Sequence, residues 1–489
     1  ISESSKGETD AKQEIRAMTA GFVKVEVLEE KWDGYKFYIK AKMAANPEDI
    51  LKRIKELASN DEEKARLKKQ LIQSEKAFEA LRLEMLALRG ALDESESDNE
   101  KQKLALAFAQ KSKAILANEK FEKGQDYYWG RKGVSKDYHE AVKLYKTAAN
   151  QGYSVAQHSL GVMYYNGSGV QQDYRKAAYW YQKAAVQDDA SAQVNLGTMY
   201  SDGRGVQQDY KQALYWFQKA TGQGEAVAQY NLGVMYDNGH GVQQNFKQAA
   251  YWFQKAADQG DALAQYNLGV LYDKGYGVKQ DYKQALYWFK KAADQNEAHA
   301  QYNLGVMHDN GFGVQQNSKQ ALYWYQKSAA QDYASAQFNL GVKYDKGLGV
   351  KQNSKQAVDW YQLAANQGEA RAQYNLGVMY GDGFGIQQNR KLELYWYQKA
   401  ADLDHAASQY NLGVMYDRGR GVQQNNKQAV YWYQKAADQG FVPAQFNLAV
   451  MYGKGRGVQQ NINQAFYWFQ KAADQGDKGA IDVMKRLKK

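Results

Sequence analysis

The chain has 489 residues, which is too long for one compact core and indicates either several domains or an array of repeats. Cysteine is absent, so disulfides, thiolate metal sites and cysteine nucleophiles are excluded. The net charge of +10 favours acidic partners only weakly, because basic and acidic residues are interspersed along the chain instead of forming blocks.

Residues 1–46 predict a small α/β segment. Residues 11–20 have a helical pattern, and the stretches that begin at Phe22 and Tyr35 alternate apolar and polar residues. Asp33-Gly34 stands between them as a turn, which together predicts a β-hairpin. Residues 47–92 predict a long helical segment, whose near-heptad apolar spacing from 67 to 92 fits a coiled coil, a helix along the end of the repeat array or a helix folded onto its neighbour. Residues 93–103 predict an acidic linker.

A 36-residue repeat fills residues 104–489. Its leucine recurs without insertion at Leu160, Leu196, Leu232, Leu268, Leu304, Leu340, Leu376, Leu412 and Leu448. Residues 104–151 fit the same frame as a degenerate first copy, with Gly133 in phase and Gly124 where the leucine belongs. The segment from Ala480 to Lys489 predicts a polar capping helix.

Each repeat predicts two helices. In one copy the first helix places Ala228, Leu232, Met235 and Tyr236 on one face, and the second helix buries Ala249, Trp252, Phe253 and Ala256. Gly239 is placed to end the first helix in a left-handed conformation. Asn245 is placed as the N-cap of the second helix, with Gln248 completing a capping box. Gly233, inside the first helix, predicts a close approach by a neighbouring helix.

These patterns predict an all-α fold: a right-handed α/α solenoid of about ten helical hairpins, preceded by the small α/β segment and a long helix. One hairpin cannot bury its apolar face alone, whereas stacked copies form a superhelix with a concave and a convex surface.

The recurring words Ala-Gln-Tyr-Asn-Leu-Gly-Val-Met-Tyr, Gly-x-Gly-Val and Tyr-Trp-Phe-Gln-Lys-Ala-Ala-Asp-Gln-Gly resemble the Sel1-like repeats, relatives of the tetratricopeptide repeats. This resemblance covers about three-quarters of the chain and implies an adaptor protein, often of bacterial envelopes or host-interaction systems. The hairpin segment is more weakly similar to the end of a small domain in flagellar assembly T-like envelope lipoproteins, without its first strand. Together they imply a periplasmic, cell-surface or secreted protein.

The sequence argues against catalysis. The six histidines occupy six different phases of the repeat and form no metal-binding motif, so we expect no metal and no cofactor. The Gly-x-Gly-Val loops join two helices and do not follow a strand, which excludes a dinucleotide fingerprint. Catalysis needs unique positioned residues, and a motif repeated ten times is a poor place for them. No apolar run approaches the roughly 18 residues of a membrane span.

The concave groove is the predicted partner-binding site. In one copy the residues opposite the core are Tyr230, Asn231, Val234 and Asp237, and the equivalent pairs are Tyr266, Asn267, Tyr302, Asn303, Tyr374, Asn375, Tyr410 and Asn411. Amides can pair with an extended peptide backbone, and aromatic rings can hold its side chains. The alternative is that the Asn residues tie adjacent repeats together and the Tyr residues pack between them.

A second row of tyrosines is predicted on the convex surface. It comprises the tyrosines directly before a Trp predicted to be buried, with Asp359 as the one break: Tyr179, Tyr215, Tyr251, Tyr287, Tyr323, Tyr395, Tyr431 and Tyr467. Among them, Tyr215, Tyr251, Tyr287 and Tyr323 are the candidate association residues. Tyr offers a large contact area at low entropic cost, so the row could mediate lateral association. The alternative is that each ring lies flat against the helix of the next repeat.

The function predicted from these observations is a non-enzymatic protein-interaction scaffold of the bacterial cell envelope that binds a protein or peptide in its groove. A self-associating structural subunit of a surface or envelope assembly is the alternative. Nucleic-acid binding is not expected, because the Trp residues face the core and no basic stripe reaches the groove.

Overall fold

A computed structural model of the chain describes residues 24–32, 37–44, 83–84, 87–88, 90–91 and 98–487. The chain divides into two compact units, Ile1–Gln244 and Asn245–Lys489. The predicted helix at 11–20, the turn at Asp33-Gly34 and most of the near-heptad segment lie outside the described residues. Residues 83–84, 87–88 and 90–91 are helical, as predicted for the end of that segment.

The predicted hairpin is confirmed, with longer strands than expected. Strands β1 (Lys24–Trp32) and β2 (Phe37–Ala44) pair antiparallel, with Trp32 opposite Phe37. The register shifts between Val27 and Glu29. Because a bulge reverses which residues share a face, the alternating pattern identified β1 only up to Val27.

The predicted acidic linker is wrong for residues 98–103, which begin helix α1 (Asp98–Trp129). Lys, Leu and Ala are good helix formers, and acidic side chains such as Asp98 and Glu100 favour a helix N-terminus. Residues 93–97 lie outside the described residues.

The first unit then alternates first and second helices of successive repeats. Its remaining helices are α2 (Tyr138–Asn150), α3 (Ser154–Asn166), α4 (Tyr174–Ala185), α5 (Ala190–Asp202), α6 (Tyr210–Gly222) and α7 (Ala226–Asn238). The odd-numbered helices are first helices of a repeat, and the even-numbered helices are second helices.

The second unit continues the same alternation. Its helices are α8 (Phe246–Asp258), α9 (Ala262–Lys274), α10 (Tyr282–Asp294), α11 (Ala298–Asn310), α12 (Ser318–Ala329), α13 (Ala334–Lys346), α14 (Ser354–Asn366), α15 (Ala370–Asp382), α16 (Arg390–Asp402), α17 (Ala406–Arg418), α18 (Asn426–Asp438), α19 (Val442–Lys454), α20 (Ile462–Asp474) and α21 (Lys478–Leu487). Helix α21 buries Ala480 and Met484 against the last repeat, which confirms the predicted capping helix. Tandem hairpins of an α/α solenoid therefore make up both units.

The caps follow the prediction in part. Gly239 is left-handed, with φ 72°, and the Asn245 side chain accepts hydrogen bonds from the backbone of Lys247 and Gln248. In the equivalent caps, however, the N-cap N–H donates to a carbonyl of the preceding first helix, as Asn317 does to His308 at 2.8 Å. The reciprocal half of the predicted capping box is therefore replaced by a bond that closes the hairpin.

The glycine inside the first helices makes room for a ring of the second helix. A Cβ on Gly269, the equivalent of Gly233 in the second unit, would lie 2.7 Å from the Phe289 ring. In the last repeat Ala449 takes this place. There the Phe469 ring is turned, at 72° to Phe446, whereas the equivalent pairs make 35–44°.

The predicted alignment of the first copy is wrong by one residue. A Cβ on Gly124 would lie 2.7 Å from the Tyr145 ring, just as a Cβ on Gly161 would lie 2.6 Å from the Tyr181 ring. Gly124 is therefore equivalent to Gly161 and not to the leucine. The extra residue lies in the loop Gly130-Arg131-Lys132-Gly133, where other repeats have three residues from glycine to glycine. Lys132 adopts a left-handed backbone there.

The tryptophans link successive repeats. Trp396 packs in the core between helix α14 of the preceding repeat and helix α15 of its own repeat, whereas the adjacent Tyr397 packs in the next core with Leu412 and Trp432. Trp252 is only half-buried, so its predicted full burial is wrong. Each second helix therefore faces two cores through two neighbouring side chains.

Candidate protein-binding surfaces

The predicted groove tyrosines are half-buried. In the second unit they form a row with two phenylalanines, here termed the first-helix face: Tyr266, Tyr302, Phe338, Tyr374, Tyr410 and Phe446. Each ring contacts the buried aromatic ring of its own repeat's second helix, with centroids 5.4–5.9 Å apart. One side of each ring thus contributes to packing, and the remainder is accessible.

The predicted groove residues of the first unit are also half-buried. The Asn231 amide donates to the Val227 carbonyl of its own helix at 2.8 Å. Val234 lies on the same helix one turn further on, and Asp237 follows in the last turn. Partial burial raises the pKa of the Asp237 carboxyl.

The asparagines are largely used between repeats. Asn375 and Asn411 form side-chain hydrogen bonds with Tyr361 and Tyr397 of the preceding second helices. Asn303 follows a repeat that has Phe289 at this place, and it bonds to Tyr266 of the preceding first helix. Asn339 bonds both to the first-helix Tyr302 and to the second-helix Tyr325. Asn267 is half-buried at the equivalent position. The alternative interpretation, that these amides tie repeats together, is thus supported, and their binding of a partner stays a prediction.

Residues in which the repeats differ are placed against the first-helix face. His299 packs on Tyr266 at 5.5 Å, and Tyr333 packs on Tyr302 at 5.2 Å. The Arg371 guanidinium lies 4.3 Å from the Phe338 ring centroid, and His405 lies 5.0 Å from the Tyr374 ring. These four were missed from the sequence because recurring residues were sought. Positions that vary between otherwise similar repeats were the signal that could have found them.

The titration of this surface follows from burial and local charge. Burial raises the pKa of Tyr266 to about 12, with a contribution from Glu297, so its hydroxyl stays a hydrogen-bond donor at neutral pH. Burial likewise raises the pKa of Tyr302. A hydrogen bond to Glu297, 2.8 Å from Nδ1, raises the pKa of His299. Burial and the Arg371 charge lower the pKa of His405.

The predicted convex tyrosines are exposed. Tyr215, Tyr251, Tyr287 and Tyr323, here termed the tyrosine row, are 45–51% exposed. Each ring stands nearly perpendicular to the ring of the next residue, a Trp, and a Lys four residues further on lies 5.0–6.0 Å from its centroid. These contacts are all within the tyrosine's own helix, and the alternative, that each ring lies flat against the next repeat's helix, stays a prediction.

The histidines have separate surroundings. His158 is buried and bonds to the Asn195 amide at 2.9 Å, and His240 stacks on Tyr210. Within the described residues, no group of three or more His, Asp or Glu is arranged to hold a metal ion. None of the described helices is both long enough and apolar enough to cross a membrane.

Comparison with known proteins identifies the repeat. The Sel1 repeat matches residues 124–153, 154–189, 190–225, 226–261, 262–297, 298–333, 334–369, 370–405, 406–441 and 442–477. A protective antigen present in uropathogenic Escherichia coli strains, which displays an SLR fold, is 37% identical with a TM-score of 0.66, over 76% of this chain and 79% of that chain. A Sel1 repeat protein from Oxalobacter formigenes is 33% identical with a TM-score of 0.51, over 63% of this chain and 89% of that chain. No curated protein matches.

Proposed function

This chain belongs to the Sel1 repeat family, and from that premise we propose that it is a scaffold of the bacterial cell envelope that binds a partner protein or peptide on its first-helix face. Sel1-repeat proteins are generally protein-interaction scaffolds and are typically non-catalytic. The resemblance found in the repeated words is thereby confirmed. The binding of a partner, the use of the first-helix face and the location in the cell envelope are what we propose.

One observation carries the choice of face. The half-buried aromatic rings recur from repeat to repeat, whereas the side chains seated on them differ: His299, Tyr333, Arg371 and His405. A recurring aromatic floor supplies contact area, and differing polar side chains supply specificity. Aromatic and arginine side chains are also the residues that dominate binding energies at protein interfaces.

The envelope location is supported by the relatives. The similar Escherichia coli protein is described as a protective antigen. The absence of cysteine is compatible with any compartment and does not contribute.

The test is capture of partners from the native envelope with matched variants, followed by binding measurements on the purified pair. The face variant is Arg371→Ser with His405→Ser, and the control is Tyr287→Ser with Tyr323→Ser in the tyrosine row. We expect the face variant to bind the captured partner at least about tenfold more weakly, and the control to bind it normally. Equal binding by both variants would contradict the choice of face.

The tyrosines of the first-helix face contribute to folding as well as to the proposed binding surface. Tyr266→Ala and Tyr302→Ala remove ring contacts with Phe289 and Tyr325, so we expect them to lower the melting temperature as well as binding. Tyr302→Phe keeps the ring and removes only the hydroxyl. Since Phe338 and Phe446 occupy equivalent places, this change should preserve the fold.

The exposure of the tyrosine row favours a second candidate function, a self-associating structural subunit. Repeated weak contacts along such a row would add up. The test within the second unit changes Tyr251, Tyr287 and Tyr323 to Ser and measures the assembly state by light scattering. If the wild-type chain associates and the variant associates equally, the row does not mediate assembly.

A further inference from the structure

The loops that join first to second helices carry a row of exposed apolar side chains. In these Gly-x-Gly loops both glycines are left-handed, as in Gly275 and Gly277, with φ 73° and 68°. In four successive repeats of the second unit the residue between them is Tyr276, Phe312, Leu348 and Phe384, here termed the loop row. These four side chains are 40–59% exposed.

The loops that carry the row lie on the preceding repeat, and two of the four side chains stack on it. A Cβ on Gly277 would overlap the Phe246 carbonyl, so the loop lies directly on the start of helix α8. The Tyr276 ring stacks on Phe246 at 5.1 Å, and the Phe312 ring stacks on Tyr282 at 5.0 Å. Side chains fixed in this way lose little conformational entropy when they bind a partner.

The edge that carries the loop row is basic. Residues 274–284, 310–320, 346–356, 382–392, 418–428 and 454–464 comprise these loops and the first turns that follow, and they contain 14 Lys or Arg against two Asp. The loops at the other ends of the same helices, 258–261, 294–297, 330–333, 366–369, 402–405, 438–441 and 474–477, contain 11 Asp or Glu and no Lys or Arg. Charges that are interspersed in the sequence are thus separated onto opposite edges by the antiparallel hairpins.

Acidic residues beside the basic edge reduce this charge but do not cancel it. Asp273 pairs with Lys274, Asp417 pairs with Arg456, and Glu393 pairs with both Arg390 and Arg420, whereas Asp309 pairs with Lys343, which lies outside these loops. Apart from the Asp309 pair, and with Asp345 beside the loops and the two Asp within them included, six acidic residues stand against the 14 Lys or Arg. Lys346, Lys351 and Lys355 are exposed around Leu348, at the centre of the edge. An anionic partner is therefore attracted to the loop row and repelled from the opposite edge.

We propose that the loop row binds an extended acidic polypeptide segment that carries an apolar side chain at about every third residue. Packed helices lie about 8–10 Å apart, and the loops of successive repeats are separated by at least that distance. An extended chain advances about 3.3 Å per residue, so about three residues or slightly more span one repeat. The acidic side chains of such a segment meet the lysines and arginines, and its apolar side chains meet the loop row. This surface is separate from the first-helix face, and the inference does not depend on the function proposed for that face.

The geometry favours a polypeptide over single-stranded nucleic acid. Nucleic-acid bases stack on open aromatic faces. One face of Tyr276 and one face of Phe312 are already covered by Phe246 and Tyr282. Leu348, in the middle of the row, offers no ring on which a base could stack.

The test uses the full chain and dye-labelled probes in fluorescence anisotropy. The probes are a peptide of repeated Glu-Glu-Phe, a peptide of repeated Glu-Glu-Gly with the same charge, and oligo-deoxythymidine. We expect the Glu-Glu-Phe peptide to bind at least about tenfold more tightly than either other probe, with an affinity that weakens as salt is added. Equal binding of Glu-Glu-Gly or of oligo-deoxythymidine would show attraction by charge alone and overturn the proposal, as would no binding of any probe.

Matched variants locate the site. The loop variant carries Phe312→Ser, Leu348→Ser and Phe384→Ser, and the control carries Tyr287→Ser, Tyr323→Ser and Tyr395→Ser. All six side chains are exposed, so both variants should melt like the wild type. The loop variant should lose the preference for Glu-Glu-Phe over Glu-Glu-Gly, and the control should keep it. A loop variant that keeps the preference would overturn the proposal.

Discussion

The side-chain amide of Gln295, at the end of helix α10, donates a hydrogen bond at 2.8 Å to Oε1 of Gln265 in helix α9 of the same repeat. Gln265 is buried, and its own amide donates to the Ala257 carbonyl at 3.1 Å. The same pairing recurs in the second unit as Gln331 with Gln301, Gln367 with Gln337, Gln439 with Gln409 and Gln475 with Gln445. A buried polar row therefore joins the repeats behind the apolar core.

This row is interrupted at Leu403, and restoring it should stabilise the chain. Leu403 is 52% exposed, and within the described residues Oε1 of the facing Gln373 is buried without a hydrogen-bond partner. We expect Leu403→Gln to raise the free energy of unfolding by about 1 kcal/mol, because an unsatisfied buried acceptor gains a donor. Leu403→Ala is the control in urea unfolding. A glutamine variant no more stable than the alanine variant would contradict the prediction.

Two glycines inside first helices should respond oppositely to alanine. At Gly269 a Cβ would lie 2.7 Å from the Phe289 ring, whereas at Gly453 the nearest atom is the Ala465 Cβ at 3.6 Å. Both changes gain about 0.5–1 kcal/mol of helix propensity. We expect Gly453→Ala to raise the melting temperature and Gly269→Ala to lower it, since the ring must shift. Melting temperatures that rise in both variants would show that the ring adapts without cost.

Adjacent aromatic residues of helix α16 should destabilise different repeats. Trp396→Ala and Tyr397→Ala should each cost about 3–5 kcal/mol locally. Because Trp396 packs with Leu376 and Tyr397 packs with Leu412, hydrogen exchange should accelerate around 357–379 in the first variant and around 401–415 in the second. Identical exchange patterns in the two variants would contradict the division into two cores.

Two histidines should contribute to stability with opposite dependence on pH. The hydrogen bond to Glu297 raises the pKa of His299, so its stabilisation is complete below the unfolded value of about 6.5 and is lost as pH rises through the folded value. His299→Gln should therefore be more destabilising at about pH 5 than at about pH 9.

For His405, burial and the Arg371 charge lower the pKa, so the folded state disfavours the proton and stability falls as pH drops below the unfolded value. His405→Asn keeps an N-cap acceptor and should reduce this loss. The measurement is the urea midpoint of unfolding of the wild type and of both histidine variants between about pH 5 and pH 9. If the difference in urea midpoint between each variant and the wild type is the same at every pH, titration of these histidines does not contribute to stability.

The sequence by itself determined the local structure of the repeats. The 36-residue spacing, the Asn and Asp caps and the left-handed glycines define each helix, because helix propensity and capping depend on residues within a few positions of each other. It also identified the half-buried tyrosines of the first helices and the exposed tyrosine row, since helical periodicity determines which face a residue occupies.

Only the tertiary structure decided what these residues touch. The partner of an asparagine depends on which aromatic residues of the preceding repeat carry a hydroxyl: Asn375 has Tyr361, and Asn303 has Tyr266. Gln295 meets Gln265, 30 residues earlier, and Trp396 packs in a core that includes Tyr361 of the preceding repeat. The antiparallel hairpins likewise collect basic loops at one edge and acidic loops at the other. These contacts join residues far apart in the chain, where packing between neighbouring helices and not local periodicity selects the partner.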